Sequence, residues 1–100
     1  MKRFEIEVSG PARRQVLSAL RWWLDNRSSA SNLLAEEVRK ALDLIAERPG
    51  VGHHVPSRRL RDVRCHSIGR SGYSIYYRVL TERVRVLSLW HESRGRKPRF

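Results

Sequence analysis

The sequence contains little cysteine, few acidic residues and no long hydrophobic run. Its 100 residues include a single cysteine, Cys65, which excludes an internal disulfide and a cysteine-based zinc cluster. No apolar stretch approaches the ~18 residues of a membrane-spanning helix, and the start MKRFEIEVSG does not have the pattern of a signal peptide. A chain of this length makes one domain, too small for a Rossmann or TIM fold. We expect a cytosolic protein with no membrane partner, no cofactor and no metal site.

Acidic residues are scarcest in the second half of the chain. Residues 1–56 hold nine Lys and Arg against seven Asp and Glu, whereas residues 57–100 hold twelve against three. The second half therefore carries +9 of the total formal charge of +11. Such a surface attracts polyanions, namely nucleic acid, the ribosome or an acidic protein segment. A surface that only provides solubility is the alternative.

The hydrophobic pattern predicts an α+β fold with the element order β-α-α-β-β-β. Alternation with period two predicts strands, and apolar stripes with period 3.6 predict helices. The expected elements are a strand at 3–8, helices at 11–26 and 29–48, a loop at 49–59, a weak strand at 62–68, and strands at 73–79 and 84–90. The two helices would form a hairpin on one face of a mainly antiparallel sheet. Residues 1–93 would form the domain, and residues 94–100 a basic tail that is either disordered or extends the last strand.

The same periodicity predicts the core and the helix starts. Ser9-Gly10-Pro11 is typical of a helix start, and the polar stretch 26–31 would cap the second helix. The last strand would place Val84, Val86 and Ser88 on one side, and Arg85, Leu87 and Leu89 on the other. The predicted core contains Trp23, Leu34, Val38, Ile45, Ile75, Val79 and Val86, with Tyr73 and Tyr77 on the same side.

Candidate binding residues are mostly arginines. Four of them lie within seven residues, a density that suits bidentate recognition of carboxylate or phosphate: Arg58, Arg59, Arg61 and Arg64. Arg78 and Arg85 would lie opposite each other on neighbouring strands, where they either bind an anion or are neutralised by Glu82, Asp62 or Glu92. Trp22 points away from the core stripe and is a candidate partner contact. The tail adds Arg94, Arg96, Lys97 and Arg99.

Several motifs, taken together in this order, resemble the ParE/RelE superfamily of toxins from bacterial type II toxin–antitoxin systems. The resemblance covers nearly the whole chain and rests on Pro49-x-x-Gly52, Leu60-Arg61, the stretch 72–79, Val84-Arg85-Val86-Leu87, His91 and Arg94. It implies a small basic toxin that a cognate antitoxin neutralises in a hetero-oligomer. It also implies two alternative activities, because ParE-like members poison DNA gyrase and RelE-like members cut mRNA in the ribosome.

The residues expected of the RNA-cleaving branch are incomplete. Metal-free RNA cleavage needs a base, a cation at the phosphorane and an acid. Where the resemblance requires cations the sequence has Cys65, Ser67 and Ser74, and no Glu occurs between residues 48 and 81. The remaining candidates for an RNase are Arg61, Arg78, His91 and Arg94. His91 would act as a general base or as a hydrogen-bond donor to a phosphate, or would only close the sheet by bonding a backbone carbonyl.

The sequence therefore favours a gyrase poison with an acidic antitoxin segment that folds as it binds. The alternative is a RelE-like, ribosome-dependent mRNA endonuclease that needs no metal. A plain nucleic-acid-binding module and an inactive relative that keeps only the antitoxin contact also stay open.

Overall fold

A five-stranded sheet carries two helices on one face in the computed structural model, which describes residues 3–27, 32–98 and 100. The elements are β1 (Glu5–Val8), α1 (Gly10–Asn26), α2 (Leu33–Glu47), β2 (His53–Val55), β3 (Val63–Ile68), β4 (Tyr73–Leu80) and β5 (Arg83–His91). The strands lie in the order β1-β5-β4-β3-β2, and every pair is antiparallel except β1 with β5. This confirms the predicted α+β fold. Neither described helix is long and apolar enough to cross a membrane.

The predicted start of α1 is confirmed by its cap. The Ser9 hydroxyl accepts a hydrogen bond from the Ala12 amide at 3.2 Å, and Pro11 lies in the first turn, where its missing N–H costs nothing. The described part of α2 begins at Leu33 rather than at residue 29. The predicted capping residues 28–31 lie outside the described residues.

The segment predicted as a loop at 49–59 contains an additional strand, so the predicted order β-α-α-β-β-β omitted one strand. β2 pairs with β3 through His53 and Cys65, and a 3-10 turn over Pro49–Val51 precedes it. The Tyr77 hydroxyl fixes this segment to the core, because it accepts from the Gly52 amide at 2.9 Å and donates to the Pro49 carbonyl at 2.8 Å. A three-residue edge strand between prolines and glycines is too short to show a period of two, which explains why the pattern missed it.

The core lies between the helices and one face of the sheet. The predicted residues Leu34, Val38, Ile45, Ile75 and Val86 are buried there, Val79 packs against them, and Trp23 and Tyr77 belong to the same cluster. We call the opposite side of the sheet, which carries Cys65, Ser67, Ser74, Tyr76 and Arg78, the open face.

A bulge at Leu87 corrects the predicted alternation of β5. Tyr76 pairs with Ser88 but Tyr77 pairs with Val86, so Leu87 is an extra residue on β5. Beyond the bulge, Leu89 faces the core with 4% exposure, on the side of Val86 and not that of Arg85. His91 follows it to the helix side of the sheet, which a strict period of two would not have predicted.

Glu37 joins α2 to the turn between β3 and β4. Its carboxylate accepts hydrogen bonds from the backbone amides of Arg70 at 2.7 Å and Ser71 at 3.1 Å. Burial by itself raises the pKa of Glu37, but the nearby Ser71 side chain and the hydrogen bonds from these two amides outweigh it and hold the pKa below its usual value. The ionised carboxylate therefore stabilises the turn.

Candidate functional site

The centre of the open face holds a carboxylate between two serines. Ser67 and Ser74 are register partners on β3 and β4, and their hydroxyl oxygens lie 3.4 Å apart. Both donate to Oε1 of Glu92, at 3.1 Å from Ser67 and 2.9 Å from Ser74. The two hydroxyl donors therefore hold the Glu92 carboxylate on the open face.

Cys65 and Tyr76 lie next to this serine–glutamate cluster and stay protonated at neutral pH. They are register partners, and both are buried. Burial raises the pKa of the Cys65 thiol and raises the pKa of Tyr76 to about 12. With Glu92, Arg96 and other residues they line a small cavity of about 200 Å³. Neither side chain supplies a thiolate nucleophile or a phenolate base there.

The basic tail folds back over the open face. The indole N–H of Trp90 donates to the Arg96 carbonyl at 2.9 Å, and the Arg94 guanidinium lies 4.5 Å from the centre of the Trp90 ring. The Phe100 ring lies 5.5 Å from that of Tyr76. The described part of the tail is thus neither detached from the domain nor an extension of β5. Arg94, Arg96 and Lys97 are exposed at its surface, and Arg99 lies outside the described residues.

Three of the four clustered arginines are exposed to solvent, and the fourth is half-buried. Arg58, Arg59 and Arg61 are exposed in the loop before β3, and none pairs with a carboxylate among the residues that the structure describes. Arg64 is half-buried, with its Nε 3.1 Å from Asp62 and its NH1 donating to the Gly52 carbonyl at 2.9 Å. Arg64 therefore holds the loop in place, while the other three present cations to solvent.

Arg78 and Arg85 are register partners, as the sequence predicted. Glu7 on β1 approaches Arg85 at 3.1 Å and Arg83 at 3.7 Å. Arg78 keeps a buried Nε that has no hydrogen-bond partner within the described ranges. The carboxylate beside Arg85 comes from the parallel pairing of β1 with β5, a contact between distant parts of the chain that the local pattern does not reveal.

The four candidates for an RNase do not meet at one place. Arg61 lies in a loop, Arg78 is on the open face, and His91 is on the helix side of the sheet beside Tyr73. Arg94 follows in the 3-10 turn Glu92–Arg94.

The partner of His91 is a hydroxyl and an amide rather than the predicted carbonyl. Its Nδ1 accepts from the Ser93 amide at 3.1 Å and lies 2.6 Å from the Ser93 hydroxyl. The ring packs edge-on against Tyr73, with 4.7 Å between ring centres. Ser93 follows His91 by two residues, so this contact is local in the sequence.

Trp22 is 48% exposed and lines a groove that the sequence did not reveal. We call it the α1 groove; it runs between α1 and the ends of β4 and β5, past Tyr73 and His91. Its arginines come from four separate parts of the chain: Arg14, Arg27, Arg70 and Arg94. Only the tertiary structure brings these arginines together, so no local sequence motif indicates them.

No group of three His, Cys, Asp or Glu side chains within the described ranges could hold a metal ion.

A protein family and an individual relative each match most of this chain. The family described as "ParE toxin of type II toxin-antitoxin system, parDE" matches residues 6–95. "Toxin RelE1" of Caulobacter vibrioides is 32% identical over 89 residues, which cover 88% of this chain and 92% of that protein.

Two solved structures share the fold. The chromosomal ParDE toxin–antitoxin system from P. aeruginosa superposes with a TM-score of 0.72 at 12% identity, covering 91% of this chain and 98% of that one. The toxin–antitoxin complex RelBE2 from Mycobacterium tuberculosis superposes with a TM-score of 0.62 at 20% identity, covering 90% of this chain and 99% of that one.

Proposed function

Because this chain belongs to the ParE toxin family of type II toxin–antitoxin systems, we propose that it poisons DNA gyrase and that a cognate antitoxin neutralises it. The family assignment comes from the match over residues 6–95; the target and the neutralising partner are the proposal.

The serine–glutamate cluster supports gyrase over RNA as the target. An RNase of this superfamily would need cations where Cys65, Ser67 and Ser74 stand, because the phosphorane develops negative charge. Glu92 is instead held there by the two serine hydroxyls. Like charges in close contact repel each other. A scissile phosphate placed on the open face would meet this repulsion.

The separation of the RNase candidates supports the same choice. Arg78 and His91 are on opposite sides of the sheet, so one phosphate cannot contact both. Acid–base catalysis requires both groups within hydrogen-bond reach of the reacting atoms.

The mRNA endonuclease remains the second candidate, since the relative at 32% identity bears the name Toxin RelE1. Arg94, whose guanidinium lies beside the Trp90 ring, is the cation that this activity would use.

Purified full-length protein tests the choice in two assays. We expect it to inhibit supercoiling or promote DNA breakage by gyrase, and to leave mRNA on translating ribosomes intact. Changing Arg94, Arg96 and Lys97 together to Ala should weaken the gyrase effect by about tenfold or more, since these cations face solvent beside the open face. Changing the exposed Arg13, Arg21 and Arg48 instead removes the same charge elsewhere and should have little effect. Codon-specific cuts with normal gyrase activity would refute the proposal.

The antitoxin segment should combine acidic and apolar residues. A groove of about 490 Å³ between α2 and β3 offers an apolar wall from Leu33, Ala41, Leu44 and Ile68, and the exposed arginines 58, 59 and 61 offer the cations. The ionic part of the affinity should fall with salt, and the apolar part should not. Changing Arg58, Arg59 and Arg61 together to Ala should flatten the salt dependence of antitoxin binding. Unchanged affinity and salt dependence would remove these arginines from the interface.

A further inference from the structure

We propose that the α1 groove binds single-stranded nucleic acid. This inference goes beyond the gyrase proposal, because it concerns the helix side of the sheet and needs neither gyrase nor an antitoxin. Three features of the groove carry it: exposed aromatic rings, unpaired arginines and a fixed hydrogen-bond donor.

The aromatic rings form a platform on which bases can stack. Trp22 exposes about half of its surface, and its ring meets the buried Trp23 edge-on with 6.3 Å between ring centres. Tyr73 lies across the groove and is half-buried. Trp22 is thus held by packing on one side and keeps the other available. Stacking on such rings is tolerant of base identity and is the common device of single-strand binding.

The charges of the groove suit a phosphate backbone. Arg14, Arg27, Arg70 and Arg94 are all exposed, and none forms an ion pair with any residue that the structure describes. None of the lining residues is acidic. Glu37 lies behind the Arg70 end, but its carboxylate is engaged by backbone amides. The groove is therefore a positive surface without internal compensation.

His91 adds a donor of fixed direction. Since Nδ1 accepts from the Ser93 amide, the proton of the neutral ring resides on Nε2. Nε2 lies beside Gly72, where a Cβ would approach it to 3.1 Å. Gly72 also has a φ of +80°, a conformation that favours glycine. The absence of a side chain at this position leaves room for an acceptor at the His91 donor.

The shape favours a single strand over other polyanions. Two depressions of about 510 and 530 Å³ share Trp22, Tyr73 and His91, so each has the size of a small-ligand site. A duplex hides the faces of its bases, so it cannot stack on Trp22. Polar residues such as Gln15, Ser18 and Ser71 interrupt the walls, which suits a nucleotide chain better than the apolar face of a peptide helix.

Fluorescence anisotropy with a labelled oligothymidylate of about 12 nucleotides tests this on the purified full-length protein without gyrase. We expect binding of the single strand and much weaker binding of a duplex of the same length. Trp22→Ala should weaken it about tenfold, as the loss of one stacked base predicts, and Trp22→Phe should weaken it less. Arg14→Ala should reduce the slope of log affinity against log salt by about 0.7.

Matched controls lie on the same helix. Leu24 is 61% exposed and Arg21 is exposed, and neither lines the groove, so Leu24→Ala and Arg21→Ala should leave the affinity within about twofold. Equal affinity for duplex and single strand, or equal losses from Arg14→Ala and Arg21→Ala, would overturn the proposal. Competition by poly-glutamate as effective as that by the oligonucleotide would also overturn it and assign the groove to an acidic protein segment. None of these outcomes depends on whether gyrase is the target.

Discussion

Removing one oxygen atom from Tyr77 should destabilise the fold by about 2–4 kcal/mol. Tyr77 is fully buried, and its hydroxyl makes two hydrogen bonds, with the Gly52 amide and the Pro49 carbonyl. Tyr77→Phe keeps the ring and the core volume but leaves both backbone groups without their partner. Each buried group so stranded costs about 1–3 kcal/mol. The sum of two such losses, moderated by local relaxation, gives the expected range.

Tyr73→Phe is the matched control. It lies on the same strand, its ring packs on His91, and its hydroxyl makes no hydrogen bond within the described part of the chain. It should cost less than about 0.5 kcal/mol.

Thermal and urea unfolding of the two variants measure the difference. A loss of 1 kcal/mol lowers the Tm of a domain of this size by about 4–8 °C, so Tyr77→Phe should lower it by at least about 8 °C. Equal stability of the two variants would refute the role assigned to the Tyr77 hydroxyl. A large loss in both would show that the effect is not specific to the two hydrogen bonds of the Tyr77 hydroxyl.

Three further predictions concern stability. Ile75→Ala should cost about 2–5 kcal/mol in urea unfolding through the cavity it leaves; a loss well below 1 kcal/mol would contradict its place in the core. Because burial raises the pKa of Tyr76 from 10.0 to about 12, folding favours its neutral form, so stability should fall between pH 10 and pH 12 by up to about 3 kcal/mol. Tyr76→Phe should reduce that fall, and an unchanged alkaline profile would refute the assignment. Because folding lowers the pKa of Glu37, its ionised carboxylate stabilises the fold at pH values above the unfolded pKa. That stabilisation is lost as the pH falls through the folded pKa, so Glu37→Gln should flatten the acid limb of a stability–pH curve.

The sequence predicted the two helices and four of the five described strands because these elements bury one face and repeat at regular spacing. Leu34, Val38 and Ile45 mark a helix, and Ile75 and Tyr77 mark a strand, whatever the rest of the chain does. β2 escaped because three residues carry no period, and the bulge at Leu87 escaped because it breaks one. Both depend on pairing with strands elsewhere in the chain.

Candidate sites made of neighbouring residues could be predicted from the sequence, and sites assembled from distant residues could not. The arginines at 58–61 are adjacent in sequence, so their density is visible at once. The α1 groove and the serine–glutamate cluster are assembled from residues far apart, Arg14 with Arg94 and Ser67 with Glu92. Only their tertiary contacts identify these sites. His91 could be identified as a candidate from the sequence, but the side of the sheet that it faces could not, because that side depends on the bulge.

The parallel pairing of β1 with β5 has a consequence for synthesis. Glu5 pairs with Arg83 and Val8 with Val86, so residues close to the start of the sequence wait for partners about 78 residues later. At about 5–20 residues per second, a nascent chain carries an unpaired β1 for roughly 4–16 seconds before β5 is made. A chain that stops before residue 83 leaves Phe4, Ile6 and Val8 without the strand beside which they pack. Completion of the sheet therefore waits until β5 has been made, and incomplete chains expose the apolar surface that quality-control proteases recognise.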